Sequence, residues 1–206
     1  DIDSMSTDTE IDTSSSDECL SSRRPIVLAH GFIAAGDTWS RHVQRLLNTG
    51  SCLRWIKVYD WNTLDMSGDH IQGLDEMIDR LLLDSESDQV DLVGHSAGGG
   101  LAYSFLSDPL RAQKVHGYVH VGSFPSEGPP TPEGSEPIPT LNLWSRGDLT
   151  VEGNDIPGAT NVMLEQEDHY AVATSLNSFS ELTQFLYQDE VTPKDPRSTS
   201  DMNDTV

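Results

Sequence analysis

The chain has 206 residues, with 34 acidic against 12 basic side chains and a formal net charge of −22. Such a balance excludes nucleic acid as a main partner, because phosphate binding is supplied by clustered Lys and Arg, and it disfavours an anionic membrane surface. No run approaches the ~20 apolar residues of a membrane helix, so no integral membrane segment is expected. The length fits one domain with tails. Residues 1–20 carry seven acids and no base, and residues 189–206 carry five acids beside Lys194 and Arg197. Both ends are rich in Ser, Thr and Asp, which predicts disordered tails at 1–20 and 189–206 around a domain at 21–188. The excess acid reads as colloidal solubility, and the chain's three lysines leave life in high salt as an alternative. The chain opens at Asp1 without a charged-then-apolar leader, the expectation for a mature or trimmed product.

In chain order, the apolar run at 25–30 predicts a buried parallel strand ending at Gly31. A helix is expected from about Asp37, with Trp39, Val43, Leu46 and Leu47 at helical spacing and Gly50 as its stop. A second strand should cover Leu53 to Asp60, and the next helix carries Ile71, Leu74, Met77, Ile78 and Leu81 on one face. A third strand at 90–93 runs into Gly94. Residues 97–106 read as a helix despite Gly98, Gly99 and Gly100, each of which costs about 1 kcal/mol relative to Ala. Such a run is tolerable where a helix presses closely on a sheet. Further strands are expected at 115–122, 140–145 and 161–164. The last helix should open on Ser178 and Glu181 as a capping box and bury Phe179, Leu182, Phe185 and Leu186. Alternating strands and helices imply an α/β fold: a mostly parallel six-stranded sheet with helices on both faces. The connection at 123–138 is rich in Pro and Gly, which forbids a regular helix there.

The strongest chemical signal is Gly94-His95-Ser96-Ala97-Gly98 between a buried strand and a helix. In a G-x-S-x-G turn the serine takes a strained backbone, and only small residues fit two places before and after it. A phosphate-binding loop is the alternative for a serine in such a stretch, but no Lys-Ser/Thr follows. A serine hydroxyl needs a base and the base an orienting acid, which should follow in the order acid, then histidine, each after a strand. Asp148 and His169 satisfy that order. The alternative for Asp148, beside Gly147, is a turn residue, with Asp155, Glu165 and Asp168 as rivals for its role. Asp168 is discounted because sequence neighbours rarely orient each other. Of the other histidines, His30 and His95 belong to the turn motifs, His42 and His70 lie in helices, and His116 and His120 share one face of the fourth strand as core or surface imidazoles. No pair of histidines has a convincing metal-ligand spacing with carboxylates, so no metal is expected. The oxyanion donors should be the amides of Ala97 and of Phe32, in the loop after the first strand, with the Phe32 side chain walling the acyl side of the pocket.

His30-Gly31-Phe32, the segment 90–98, Asp148-Leu149-Thr150-Val151 and His169 together resemble the α/β-hydrolases, specifically the small microbial class 2 lipases and esterases, over about residues 25–188. The resemblance implies an α/β-hydrolase fold without a helical lid and ester hydrolysis through an acyl-enzyme without cofactor. It also implies a small-molecule or lipid ester as substrate. The chain departs from many lipases in having Ala97, where they carry Met or Gln, and a short Pro-rich stretch at 123–138, where larger relatives insert a lid. Polyester depolymerase, phospholipase, thioesterase and acyltransferase share the triad, and a non-catalytic relative acting as a binding protein is the rival of another class. A monomer is expected. Cys19 precedes the first strand and Cys52 begins the second, so neighbouring strands would bring the sulfurs to one edge. A disulfide in a secreted protein is the expectation, with two free thiols as the alternative.

Overall fold

The computed structural model describes residues 23–65 and 68–188. Cys19, the other half of the expected disulfide, and the expected tails lie outside the described residues. The apolar runs form β1 (Ile26–Ala29), β2 (Ile56–Tyr59), β3 (Val90–His95), β4 (Val115–Val121), β5 (Thr140–Ser145) and β6 (Thr160–Leu164). Among the described residues they make one six-stranded sheet in the order β2-β1-β3-β4-β5-β6. Every neighbouring pair is parallel. The chain leaves β1 toward β2 and then crosses back over β1 to β3, so the direction of winding reverses between β1 and β3. Open α/β sheets bind their ligands at the carboxyl edge of such a reversal. The loops after β1 and β3 hold the two motifs with the clearest chemical signature.

Strand alternation divides the core into two layers. Ile26 and Leu28 of β1 point to the face packed by α1 (Ser40–Asn48), α5 (Ala171–Thr174) and α6 (Leu176–Tyr187), where Trp39, Leu46, Val172, Phe179 and Leu182 are buried. Val27 points to the other face, packed by α2 (His70–Ser85), α3 (Ala97–Leu106) and α4 (Pro109–Ala112), with Leu74, Ile78, Leu101, Phe105 and Ala112. A sheet covered on both faces requires the near-continuous apolar strands that the sequence has. The 123–138 connection carries no helix.

Several local expectations are corrected. The strand expected from Leu53 begins at Ile56. Residues Leu53–Trp55 form a 3-10 turn closed by Trp55 N–H to the Cys52 carbonyl at 3.0 Å, and β2 pairs only along the four residues of β1. Cys52 is buried at the head of this turn rather than inside the strand. Leu47 is exposed, because His42 takes the inward place on α1, its ring 5.3 Å from Phe179. Phe185 is only half-buried. The last helix starts at Leu176, and its N-cap is Ser175, whose Oγ accepts from the Ser178 amide at 3.1 Å. Ser178 is thus the third residue of the helix and is buried, not its cap, because the chain turns out of α5 three residues earlier than expected. Two short helices were not expected. Asp108 caps α4, with Pro109 at its first position, and Asp168 Oδ1 accepts from the amides of Tyr170 and Ala171 at the start of α5.

Two measurements follow. Ser175→Ala is expected to lower the unfolding free energy by about 1 kcal/mol, the usual cost of a lost cap. Glu181→Ala should change it by less than about 0.5 kcal/mol, and urea denaturation separates the two. The second concerns His42, His95 and His120, which are all buried. Burial holds their pKa values down to about 3, about 4 and about 4, helped at His42 by Arg45 and at His95 by His169. An unfolded histidine titrates near 6.5, so below that pH the unfolded chain binds more protons than the native one. Stability is therefore full above about pH 6.5 and falls as the pH drops toward 4, by at most roughly 1.4 kcal/mol per pH unit for each histidine. Asp91, raised by burial, opposes this at the acid end. Urea midpoints at pH 7 and pH 5 should differ in that direction, and His42→Gln should flatten the slope.

Candidate active site

Ser96 sits between the last residue of β3 and the first of α3, with φ 53° and ψ −120°. A non-glycine residue rarely takes a left-handed φ, at a cost of about 1–3 kcal/mol. Its surroundings hold it there. The Ser96 amide donates to the Val121 carbonyl at 3.0 Å, and the Ser96 carbonyl accepts from the Gly99 amide at 2.9 Å and from Ser123 Oγ at 2.8 Å. The flanking glycines are required by contact. A Cβ on Gly94 would lie 2.6 Å from the Gly98 carbonyl oxygen, and one on Gly98 would lie 2.5 Å from that of Ala29.

Asp148 lies three residues past β5, buried, and both of its oxygens are used. Oδ1 accepts from the amides of Thr150 and Val151 at 2.9 and 3.0 Å, and Oδ2 accepts from His169 Nδ1 at 2.7 Å. The turn reading and the orienting reading of this residue thus describe two oxygens of one carboxylate. Because a carboxylate only accepts, Nδ1 of His169 carries the proton and Nε2 is left as the basic nitrogen. The side chains are 1% and 22% exposed for Asp148 and His169. Two of the three rivals are engaged elsewhere: Asp155 accepts from the Trp144 indole at 3.0 Å, and Asp168 serves the start of α5. His169 is fastened to the end of β3 by His95, whose Nε2 donates to the His169 carbonyl at 3.0 Å with the two rings 4.7 Å apart. Among the described residues no hydrogen bond joins Ser96 Oγ to the His169 ring; such bonds commonly tighten only when a reacting group is seated.

The loop after β1 is strained as well. Ile33, a β-branched residue, has φ 50°, and its amide is tied to Thr63 Oγ1 at 3.0 Å. Among the described residues the amides of Phe32 and Ala97 donate no hydrogen bond, and Ala97 opens the N-terminus of α3, where peptide dipoles favour negative charge. The Phe32 side chain is 57% exposed. It is not part of the cavity of about 290 Å³ that adjoins Ser96, which is lined by Ala97, Gly100, Tyr103, His120, Ser123 and Phe124 among others. The acyl wall expected from Phe32 is corrected accordingly: its loop turns that side chain outward. Thr63, Ser123 and His120 were not expected as part of the site. Period-two patterning put His120 on one face of β4 with His116, but the register shift at Val90–Asp91 leaves His116 exposed beside Asp91 and His120 buried against Tyr118. Nothing local marks Thr63 or Ser123. Among the described residues no three His, Cys, Asp or Glu side chains converge as a metal site would need, and no helix is long and apolar enough to cross a membrane.

Residues 26–199 match the family model described as the alpha/beta hydrolase family. A comparison with curated proteins gave no match. Among solved structures, the chain is similar to a bromoperoxidase from Bacillus anthracis, at 18% identity and a TM-score of 0.59, covering 82% of this chain and 93% of that one. It is also similar to the lipase BlEst2 from Bacillus licheniformis in mature form, at 14% identity and a TM-score of 0.61, over 80% and 92% of the two chains. A third is Est1E from Butyrivibrio proteoclasticus, at 9% identity and a TM-score of 0.57, over 81% and 90%. These likenesses are of fold. With the family model spanning most of its length, the chain belongs to the alpha/beta hydrolase family.

Proposed function

We propose that the protein is a serine carboxylester hydrolase of the lipase or esterase kind. Ser96 Oγ attacks the ester carbonyl carbon while His169 Nε2 takes the hydroxyl proton. The tetrahedral oxyanion is held by the Phe32 and Ala97 amides, each such donor being worth about 3 kcal/mol. The carbon–oxygen bond to the alcohol then breaks, and His169 returns its proton to the leaving oxygen. Water attacks the acyl-enzyme by the same route, its proton passing through His169 back to Ser96 Oγ, so that one ester and one water give one acid and one alcohol. Asp148 keeps Nδ1 protonated and stabilises the imidazolium. The route needs no cofactor. The observation that carries this reading is the left-handed Ser96 at the β3–α3 turn, with the His169–Asp148 pair fastened to the same turn by His95.

A polyester depolymerase is the second reading, favoured by one observation. Phe32, Ile33, Leu64, Phe124, Leu149 and Tyr170 are all exposed, and all lie in loops that leave the carboxyl ends of strands. An apolar edge of this kind suits a bulky, uncharged ester. The same overall reading takes the protein to be a secreted monomer with Cys19 bridged to Cys52: its two cysteines fit one bridge, and its net charge of −22 keeps copies apart.

Hydrolysis of p-nitrophenyl esters from acetate to palmitate, beside a triglyceride emulsion and a polyester film, tests the function. Ser96→Ala should abolish activity and labelling by a fluorophosphonate, and Asp148→Asn should lower kcat by about ten-thousandfold. Full activity in Ser96→Ala would refute the assignment. Intact mass with and without reductant tests the bridge: a gain of two hydrogens on reduction is expected, and an unchanged mass would remove it.

A further inference from the structure

Three consecutive glycines follow Ala97 in the first turn of α3, and their surroundings divide them. A Cβ on Gly98 would collide with the Ala29 carbonyl, and one on Gly99 would lie 2.4 Å from Ser123 Oγ and 3.0 Å from His120 Cε1. A Cβ on Gly100 would meet nothing within 4 Å. Close packing therefore explains two of the three. Glycine at the third position weakens the helix relative to alanine without sparing any contact. What Gly100 does border is the cavity of about 290 Å³ beside Ser96, where it lies between Ala97 and Tyr103 on one face of α3, opposite His120 and Phe124.

The far wall of that cavity is held by a buried chain of polar groups. Tyr118 Oη lies 2.7 Å from His120 Nδ1, and His120 Nε2 lies 3.0 Å from the Phe124 carbonyl oxygen. A carbonyl only accepts, so Nε2 carries the proton and Tyr118 donates to Nδ1. Tyr118 is 0% exposed, whereas the Phe124 ring at the other end is 73% exposed. The strut thus roots an otherwise exposed wall in the core.

We infer that this cavity receives the acyl arm of the substrate, with Gly100 and His120 setting the length of chain it accepts; the inference rests on the ester-hydrolase reading. The departing alcohol must take its proton from His169, so the alcohol arm lies on the His169 side. The cavity is lined by Ser96 and Ala97, the nucleophile and an oxyanion donor, and by no residue of the loop at 165–170. The arm it can hold is the one that stays on the enzyme. Its volume is at the low end of ligand pockets, which run from about 300 to 1,000 Å³, so the substrate class is esters of short to medium acyl chains, with the alcohol side left open.

The test compares kcat/KM on p-nitrophenyl acetate, hexanoate and palmitate for the wild type, Gly100→Val, His120→Phe and His120→Gln, each also labelled with a fluorophosphonate. The wild type should prefer hexanoate to palmitate. Gly100→Val, whose added atoms enter open space and leave the fold intact, should lower the hexanoate-to-acetate ratio about tenfold or more. His120→Phe should raise palmitate relative to hexanoate by freeing Phe124, while His120→Gln, which keeps an N–H in reach of that carbonyl, should stay near the wild-type ratio. Variants that label normally but keep the wild-type ratios, or lose activity on all three esters by one common factor, would overturn the inference. A wild type that neither labels nor hydrolyses any ester would instead remove the ester-hydrolase reading, and the inference with it.

Discussion

The left-handed backbone of Ser96 is the constraint on which the carboxyl edge of the sheet depends. It costs about 1–3 kcal/mol and survives because its surroundings over-determine it. Both of its backbone polar groups are committed, to Val121, Gly99 and Ser123. The missing side chains of Gly94 and Gly98 let α3 press on β3 and β1. This turn exposes the hydroxyl and aims the first free amide of α3 at the same space. A larger residue at either glycine would push the helix away and relax the turn.

The remaining parts of the site are tied to that turn rather than assembled independently. His95 reaches from the residue before the serine to the backbone of His169, and Asp148 fixes the tautomer of the imidazole while closing its own loop. A buried carboxylate with three donors is satisfied on both oxygens, which is the condition for keeping a charge out of water. On the other side, Ser123 braces the serine carbonyl and His120 braces the chain that follows. All six strands thus each deliver one loop to a common edge.

Ser96, Asp148 and His169 were legible as candidates because strand ends, glycine spacing and chain order are properties of the sequence. The order alone left open whether Asp148 orients a histidine or closes a turn, since both roles draw on the same acceptor chemistry and only the direction of each oxygen separates them. The start of the last helix was misread for a related reason. Ser175 and Ser178 offer the same hydroxyl, and which one caps depends on where α5 ends, which no local pattern records. Leu47 and His42 exchanged places because an imidazole packs against Phe179 as well as an aliphatic chain would, and hydropathy alone ranks them the other way.

By itself the sequence determined the alternation of strands and helices, the six-stranded sheet and the turn that carries Ser96. Each of these follows from local periodicity and from steric limits within a few residues. Only the tertiary structure decided which loops meet and how the two oxygens of Asp148 divide their work. It alone set which of the three glycines in α3 are tight, and that Tyr118, His120 and Phe124 form one strut. Those outcomes depend on distances between residues far apart in the chain, and packing sets such distances where a local pattern cannot.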